Sequence, residues 1–359
     1  MRRVVAPVLG MAALCGSGAA AHAAPADDPT VSLALVGDIM PGAYDYGIPA
    51  DGGRGTFAAV RRALDAEVTV GNLEGALTTR PGTKCRPGGG CFVFRMPPAY
   101  GAIVKRAGFD AVNVANNHSY DAGAAGFRDT QRELRRVGLP STGAPGQIAW
   151  LPRNGLLVAV VGFAADRGGN RVQDLPRART LVARAARRAD IVVVTFHGGA
   201  EGASAQRTPW GTETFLGGDR GNLRRFGRVV VDAGADLVVG HGPHVLRGME
   251  FRRGRLIAYS LGNFVGYRAF NLRGPNGTSA VLRATLDRRG CLVDARIAPV
   301  RLVPPGRPAP GGAAIRRVRR LSQLDFGPRA AWIADDGRIA ARNRGPCRVT
   351  RRGAAAPSA

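Results

Sequence analysis

The stretch Val114-Ala115-Asn116-Asn117-His118-Ser119-Tyr120-Asp121 sets two amides, an imidazole and a carboxylate side by side. Such groups bind cations, orient one another and move protons. The apolar run 111–115 leads into the stretch and reads as a buried strand. The polar groups therefore sit at a strand's carboxyl end, where open α/β sheets bind ligands. Asn and Asp are also ordinary cap and turn residues, so this stretch alone does not separate a ligand loop from a helix cap. The pattern, however, recurs. Asp38 follows a predicted strand at 31–36, and Asn72 and Glu74 follow one at 67–71. His197 and Glu201 follow the clearest buried run, 191–196, and His241 and His244 follow 236–239. Of the five histidines, only His22 lies outside these loops. Carboxylate, amide and imidazole together suit one or two borderline-to-hard divalent ions such as Mn²⁺, Zn²⁺ or Fe²⁺. Such ions acidify a bound water and polarise a phosphoryl or carbonyl oxygen.

The elements that must position these residues alternate. Predicted strands at 31–36, 67–71, 111–115, 156–161, 191–196, 236–239 and 256–260 are separated by predicted helices at 56–65, 97–108, 127–138, 181–188 and 223–233. That alternation means an α/β domain. Two later strands, 279–286 and 292–297, are close enough for an antiparallel hairpin around 287–290. From about Val303 the composition changes. Residues 304–310 are proline-rich and read as a stiff linker, 313–324 as a basic helix, and 348–359 as a disordered end. The expected domains are 1–23 as a leader, 31–300 as the α/β body and 301–359 as a Pro/Arg-rich extension.

The leader has a basic start at Arg2-Arg3, a short apolar run and the small-x-small site Ala21-His22-Ala23. This is the pattern of a cleaved secretory signal. No other segment is long and apolar enough to cross a bilayer. The expected location is therefore secreted, periplasmic or in the cell envelope. Export makes disulfides reasonable. Cys85 and Cys91 flank the flexible 86–90 loop, and Cys291 with Cys347 would pin the tail to the body. The shorter closure is worth roughly 2 kcal/mol in the chain-entropy model. The spacings match no zinc-binding CxxC pair.

The chain has 359 residues, 45% of them hydrophobic, which suffices for one large core. Its formal net charge is +25, almost all arginine, with Lys84 and Lys105 the only lysines. A basic chain favours polyanions, and export argues against nucleic acid. The remaining polyanions are phosphate-bearing wall polymers, lipid head groups and polyacidic capsules. A codon bias toward arginine would give the same charge without a role.

Five segments carry a resemblance to a known family. They are Gly37-Asp38-Ile39-Met40, Asn72-Leu73-Glu74-Gly75, Ala115-Asn116-Asn117-His118 with Asp121-Ala122-Gly123, Gly234-Ala235-Asp236 leading to Gly240-His241-Gly242-Pro243-His244-Val245, and Tyr259-Ser260-Leu261-Gly262-Asn263-Phe264. In that order they resemble the CapA family, which is linked to poly-γ-glutamate capsule synthesis. The resemblance covers roughly 31–265. It implies a fold like the calcineurin-type metallophosphoesterases: a four-layer α/β/β/α sandwich with two central mixed β-sheets. It also implies a metal-dependent, hydrolase-like centre. Asp38, Glu74, Asn117, His197, His241 and His244 would then be metal ligands, and His118 would face the leaving group.

Asp121 would orient His118 or cap the next helix. Asn72, Asn116, Glu201 and Asn263 would lie around the substrate, although Glu201 could equally be a loop charge and Asn263 a turn residue. The chain departs from the implied pattern at Met40, where the phosphoesterases carry His, and in a three-residue spacing of His241 and His244. Gly198 and Gly202 stand where the family has Trp and Tyr. Trp210, in an apparent extra loop at 210–219, either replaces that aromatic surface or packs within its loop. Two functions follow: a hydrolase of an acidic or phosphate-bearing envelope polymer, working beside capsule-synthesis membrane proteins, or a non-catalytic accessory protein that binds an acidic polymer through arginine.

Overall fold

The computed structural model describes residues 28–85 and 91–341. The leader 1–23, Cys347 and the expected disordered end lie outside the described residues. Strands β1 (Thr30–Met40), β2 (Val68–Leu73), β3 (Ala111–Asn113) and β4 (Ser141–Thr142) come first. Then come β5 (Ala149–Arg153), β6 (Leu156–Ala164), β7 (Ile191–His197), β8 (Leu237–His241), β9 (Met249–Arg252) and β10 (Arg255–Ala258). The remaining strands of the two large sheets are β11 (Asn263–Gly266), β12 (Thr278–Asp287), β13 (Leu292–Val303) and β14 (Arg307–Pro310).

Among the described residues, one eight-stranded sheet has the order β14-β13-β12-β1-β2-β3-β4, with β11 pairing the end of β1. A six-stranded sheet has the order β9-β10-β8-β7-β6-β5. Both are mixed. Strands β1 to β4 are parallel to their neighbours in that run, whereas β12 lies antiparallel to β1. In the second sheet β6, β7, β8 and β10 are parallel, and the edge strands β5 and β9 are antiparallel.

Side-chain alternation builds the layers. Along β1, Val31, Leu33 and Leu35 enter the same core as Val158, Val160, Val193, Leu237 and Val239 of the other sheet. Ala34 and Val36 face the opposite way, toward helices α1 (Tyr100–Arg106) and α2 (Gly123–Arg136), with Tyr100, Ile103, Val104 and Leu134. Along β7, Val192, Val194 and Phe196 pack against α3 (Leu175–Arg188) and α4 (Leu223–Asp232) through Leu181, Val182, Phe226 and Val230. Strands buried on both faces read as unbroken apolar runs, which is why 191–196 was conspicuous. Each fully buried Val or Leu contributes roughly 1.5–3 kcal/mol. The result is the α/β/β/α sandwich expected from the resemblance.

Several boundaries differ from the sequence reading. The strand expected at 31–36 continues to Met40, because β11 pairs in parallel with Asp38, Ile39 and Met40. The helix expected at 56–65 is only a 3-10 turn, Ala58–Val60, and one α-turn, Arg61–Leu64. The expected linker 304–310 instead supplies β14, which pairs Pro308 with Leu302 and Pro310 with Val300. Proline is tolerated there because β14 is an edge strand. The basic helix α5 (Ala314–Phe326) is also part of the body: Ala314 and Val318 join the core between the sheets. Cys85 and Cys91 are bonded, with Cα atoms 5.7 Å apart. Cys291 is disulfide-bonded, and its expected partner, Cys347, is outside the described residues. Among the described residues no helix is long and apolar enough to cross a membrane.

Candidate metal centre

The carboxyl ends of β1, β2, β7 and β8 meet at one point. Asp38 comes from β1, Glu74 from just after β2, His197 from the end of β7 and His241 from the end of β8. One ligand atom from each of Asp38, Glu74 and His197 lies within 4.8 Å of the others, and all three residues are buried. His197 Nε2 is 3.4 Å from Glu74 Oε1. His241 Nδ1 is 4.0 Å from Asp38 Oδ1. His244 joins them, with Nδ1 3.3 Å from Asp38 Oδ2 and Nε2 3.7 Å from Glu74 Oε1. His244 holds a left-handed backbone, φ +58°, a conformation that is uncommon away from glycine.

Whether a cation fits is decided by the atoms left without partners. Among the described residues, Asp38 Oδ2, both Glu74 carboxylate oxygens, Asn117 Oδ1, both His197 ring nitrogens and His241 Nδ1 are buried and have no hydrogen bond. Buried polar atoms normally find one. Apart from the one N–H of each imidazole these are lone-pair donors, and those of Asp38, Glu74 and His197 are gathered in one place, where a divalent ion would supply the missing positive charge. The electrostatics divides the set. Burial lowers His244, but the oxygens of Glu74, Asp38 and Glu201 around it hold it well above the usual imidazole value, so without a cation it serves as their counter-charge. Burial, reinforced by Asp38, drives the Glu74 carboxyl well above its ordinary range. Burial pushes His241 down to about 4 and His197 well below the usual imidazole value, so both are neutral, as ligation requires. Burial alone would raise Asp38, but His244, with Nδ1 3.3 Å from its Oδ2, and the other histidines around it hold it below the usual carboxylate range.

His118 stands beside the cluster, with Nε2 4.0 Å from Glu74 Oε1. Asp121 Oδ2 lies 2.7 Å from its Nδ1 and also accepts the Phe94 amide at 2.5 Å. The first residue of α2 is preceded by Ala122, whose side chain makes no cap, so Asp121 orients the ring instead of capping the helix. Phe94 stacks on the imidazole with ring centres 3.9 Å apart. Lys84 completes the group, with Nζ 2.8 Å from Asp121 Oδ1 and donating to the Asn117 carbonyl at 2.7 Å.

Three residues expected around the substrate are held by hydrogen bonds inside the protein. Asn72 Nδ2 donates to Asp38 Oδ1, and its Oδ1 accepts from Asn113 and Asn116. Asn116 also donates to the Leu73 carbonyl and accepts the His118 amide. Asn263 Oδ1 lies 2.8 Å from His244 Nδ1. All three are buried, and their amides are occupied internally. They position Asp38, His118 and His244; of the three, Asn263 alone also lines the adjoining cavity. Glu201 lies 3.6 Å from His244 Nε2 and accepts from Arg220 Nη2 at 2.9 Å, so it is not a free loop charge.

That cavity encloses about 350 Å³ and includes His118, Glu201 and His244 in its lining, beneath Phe92, Phe94, Phe215 and Phe270. Trp210 is absent from it. Its ring instead lies 4.5 Å from Arg224 and 4.6 Å from Arg228. The aromatic surface therefore comes from phenylalanines that composition did not single out. Phe215 arrives on a hairpin, Glu213–Phe215 with Gly218–Gly221, inside the extra loop. Gly198 makes room for that hairpin: a Cβ there would be 2.9 Å from the Arg220 carbonyl oxygen. Met40 is buried in the outer core of the first sheet and contributes no ligand.

A family model described as "Bacterial capsule synthesis protein PGA_cap" matches residues 32–268. The PGA biosynthesis protein CapA of Bacillus subtilis (strain 168) is 30% identical over 257 residues, 66% of this chain and 64% of that protein. The capsule biosynthesis protein CapA of Bacillus anthracis is 30% identical over 258 residues, 66% of this chain and 58% of that protein. The match thus spans less than two thirds of either relative's length. Among solved structures, the NAD nucleotidase of Haemophilus influenzae aligns with a TM-score of 0.43 and 12% identity, over 86% of this chain and 57% of that one. A likeness this loose carries no functional argument.

Proposed function

Because the chain belongs to the PGA_cap family of bacterial capsule synthesis proteins, we propose that it is an exported, metal-dependent hydrolase of an acidic envelope polymer of the poly-γ-glutamate kind. One observation carries the reading: buried acids and imidazoles left without partners cluster beside His244 and His118, which line a cavity walled by phenylalanines. Asp38, Glu74, Asn117, His197, His241 and His244 would hold one or two divalent ions. A bound ion of this class supplies activation of water and polarisation of the scissile carbonyl or phosphoryl group. The rest falls to the chain. His118 Nε2 faces the cluster and, once the ring is charged to the imidazolium that Asp121 stabilises, delivers its proton to the leaving group, while Asp121 and Phe94 fix the ring's direction. The phenylalanines exclude water and take the polymer's aliphatic segments. The leader pattern at 1–23 supports export, and membrane proteins of capsule synthesis are the partners this role requires.

Met40 favours a second reading, an accessory protein that binds the polymer without cutting it, since a ligand position of the phosphoesterase pattern is filled by a core side chain. His118→Ala separates the two. The hydrolase reading expects release of glutamate oligomers, or cleavage of a phosphodiester, to fall by about 10²–10⁴-fold while metal content persists. Wild-type protein that binds the polymer, cleaves neither substrate with Mn²⁺, Zn²⁺ or Fe²⁺ present, and is indifferent to the substitution overturns it.

A further inference from the structure

A basic groove shares a loop with the cavity at the metal centre, and it has no role in the chemistry described so far. A groove of about 620 Å³ runs between the 203–208 loop and α5, lined by Ser204, Gln206, Arg207, Arg316, Arg317 and Arg320 among others. Four of its lining residues are arginines and none is acidic. Arg316 and Arg320 are exposed and have no hydrogen bond or ion pair among the described residues. They stand at i and i+4 on α5, which sets their stems about 5–6 Å apart along one face. Arg317 donates to Gln206 Oε1 at 2.6 Å, and its Nε is buried without a partner. Two unpaired guanidinium groups one helical turn apart match a chain that carries a carboxylate at regular, short intervals.

The groove and the metal centre share one loop. Glu201 and Gly202 line the cavity at the cluster, whereas Ser204 lines the groove. Only Ala203 separates Gly202 from Ser204, so their Cα atoms are within about 7 Å. The loop is held rigid from below. Arg247 is fully buried, pairs with Glu213 at 2.6 Å and donates to the Ala205 carbonyl at 2.8 Å and the Ala200 carbonyl at 3.4 Å. At its far end Arg207 pairs with Asp325 of α5, which also accepts the Thr208 amide at 2.9 Å.

We infer that this groove is a binding site for an acidic polymer, holding a stretch of a polycarboxylate chain next to the segment presented to the metal centre. The carboxylate identity rests on the proposed poly-γ-glutamate substrate; the groove's preference for a polyanion does not. The test is binding, read independently of cleavage. Fluorescently labelled poly-γ-glutamate and polyphosphate chains of matched charge are titrated against the His118→Ala protein, with and without Arg316→Ala/Arg320→Ala, across a salt series. Both arginines are exposed and unpaired, so the double variant keeps its thermal transition. The expected result is poly-γ-glutamate binding about ten-fold weaker in the double variant, with a shallower dependence of log affinity on log salt. Unchanged poly-γ-glutamate affinity in the folded double variant overturns the site. Polyphosphate bound as tightly as poly-γ-glutamate overturns the polycarboxylate assignment. Loss of cleavage by the parent protein would instead bear on the proposed hydrolase activity, which this binding measurement does not use.

Discussion

Asp121 makes three contacts with one buried carboxylate: His118 Nδ1, the Phe94 amide and the Lys84 ammonium. Asp121→Asn keeps the volume but turns one acceptor into a donor, which then faces an N–H or an ammonium. Hydrolysis should fall by about 10–100-fold with metal content retained, because the ring loses its orientation without losing a ligand. Steady-state kinetics beside elemental analysis checks this, and equal loss of both would show that Asp121 supports the metal cluster instead. The clustering of Asp38, Glu74 and His197 was legible at this scale because acids and imidazoles are out of place directly after runs such as 191–196. Lys84, Arg220 and the four phenylalanines were not. Phenylalanine and arginine are ordinary anywhere in this chain, and only folding brings 84, 94 and 118 together. The asparagines were singled out, but their internal hydrogen bonds were not foreseen, since sequence does not reveal whether an amide points to a ligand or to a neighbouring amide.

Elements place these residues, and they do so with more of the chain than composition suggested. The proline content of 304–310 reads as a linker, yet β14 closes the edge of the first sheet. The arginines of 313–324 read as a basic helix on an extension, yet Val318, Leu321 and Phe326 of α5 are buried. Ser322 Oγ also accepts the Met249 amide of β9 at 2.9 Å. Ending the chain after Val303 removes these apolar groups, each worth roughly 1.5–3 kcal/mol when fully buried. Against a typical total stability of about 5–15 kcal/mol, the shortened protein should be insoluble or should melt at least 10 °C lower. A thermal scan showing an unchanged transition would mean that α5 and β14 are dispensable. The inner strands were legible because apolar runs buried on both faces leave little ambiguity. The edge strand was not, because an edge tolerates the proline that elsewhere forbids a strand.

At the scale of the molecule, two sheets with their own outer helices share one inner core, and the centre lies where strand ends from both sheets meet. Neither sheet alone supplies the set: Asp38 and Glu74 come from one, His197 and His241 from the other. The net charge of +25 is likewise a property of the whole chain, and the proposed polymer site draws on it where Arg316 and Arg320 line a groove. Everything proposed about chemistry depends on a cation at the junction of the sheets. The direct measurement is elemental analysis of protein prepared without a histidine tag, wild type beside Glu74→Gln, after incubation with Mn²⁺, Zn²⁺ or Fe²⁺ and removal of free ion. The account predicts about one to two ions per wild-type chain and a fall of about ten-fold or more in affinity in the variant. Wild-type protein that retains no divalent ion, or a variant that retains as much as wild type, contradicts it.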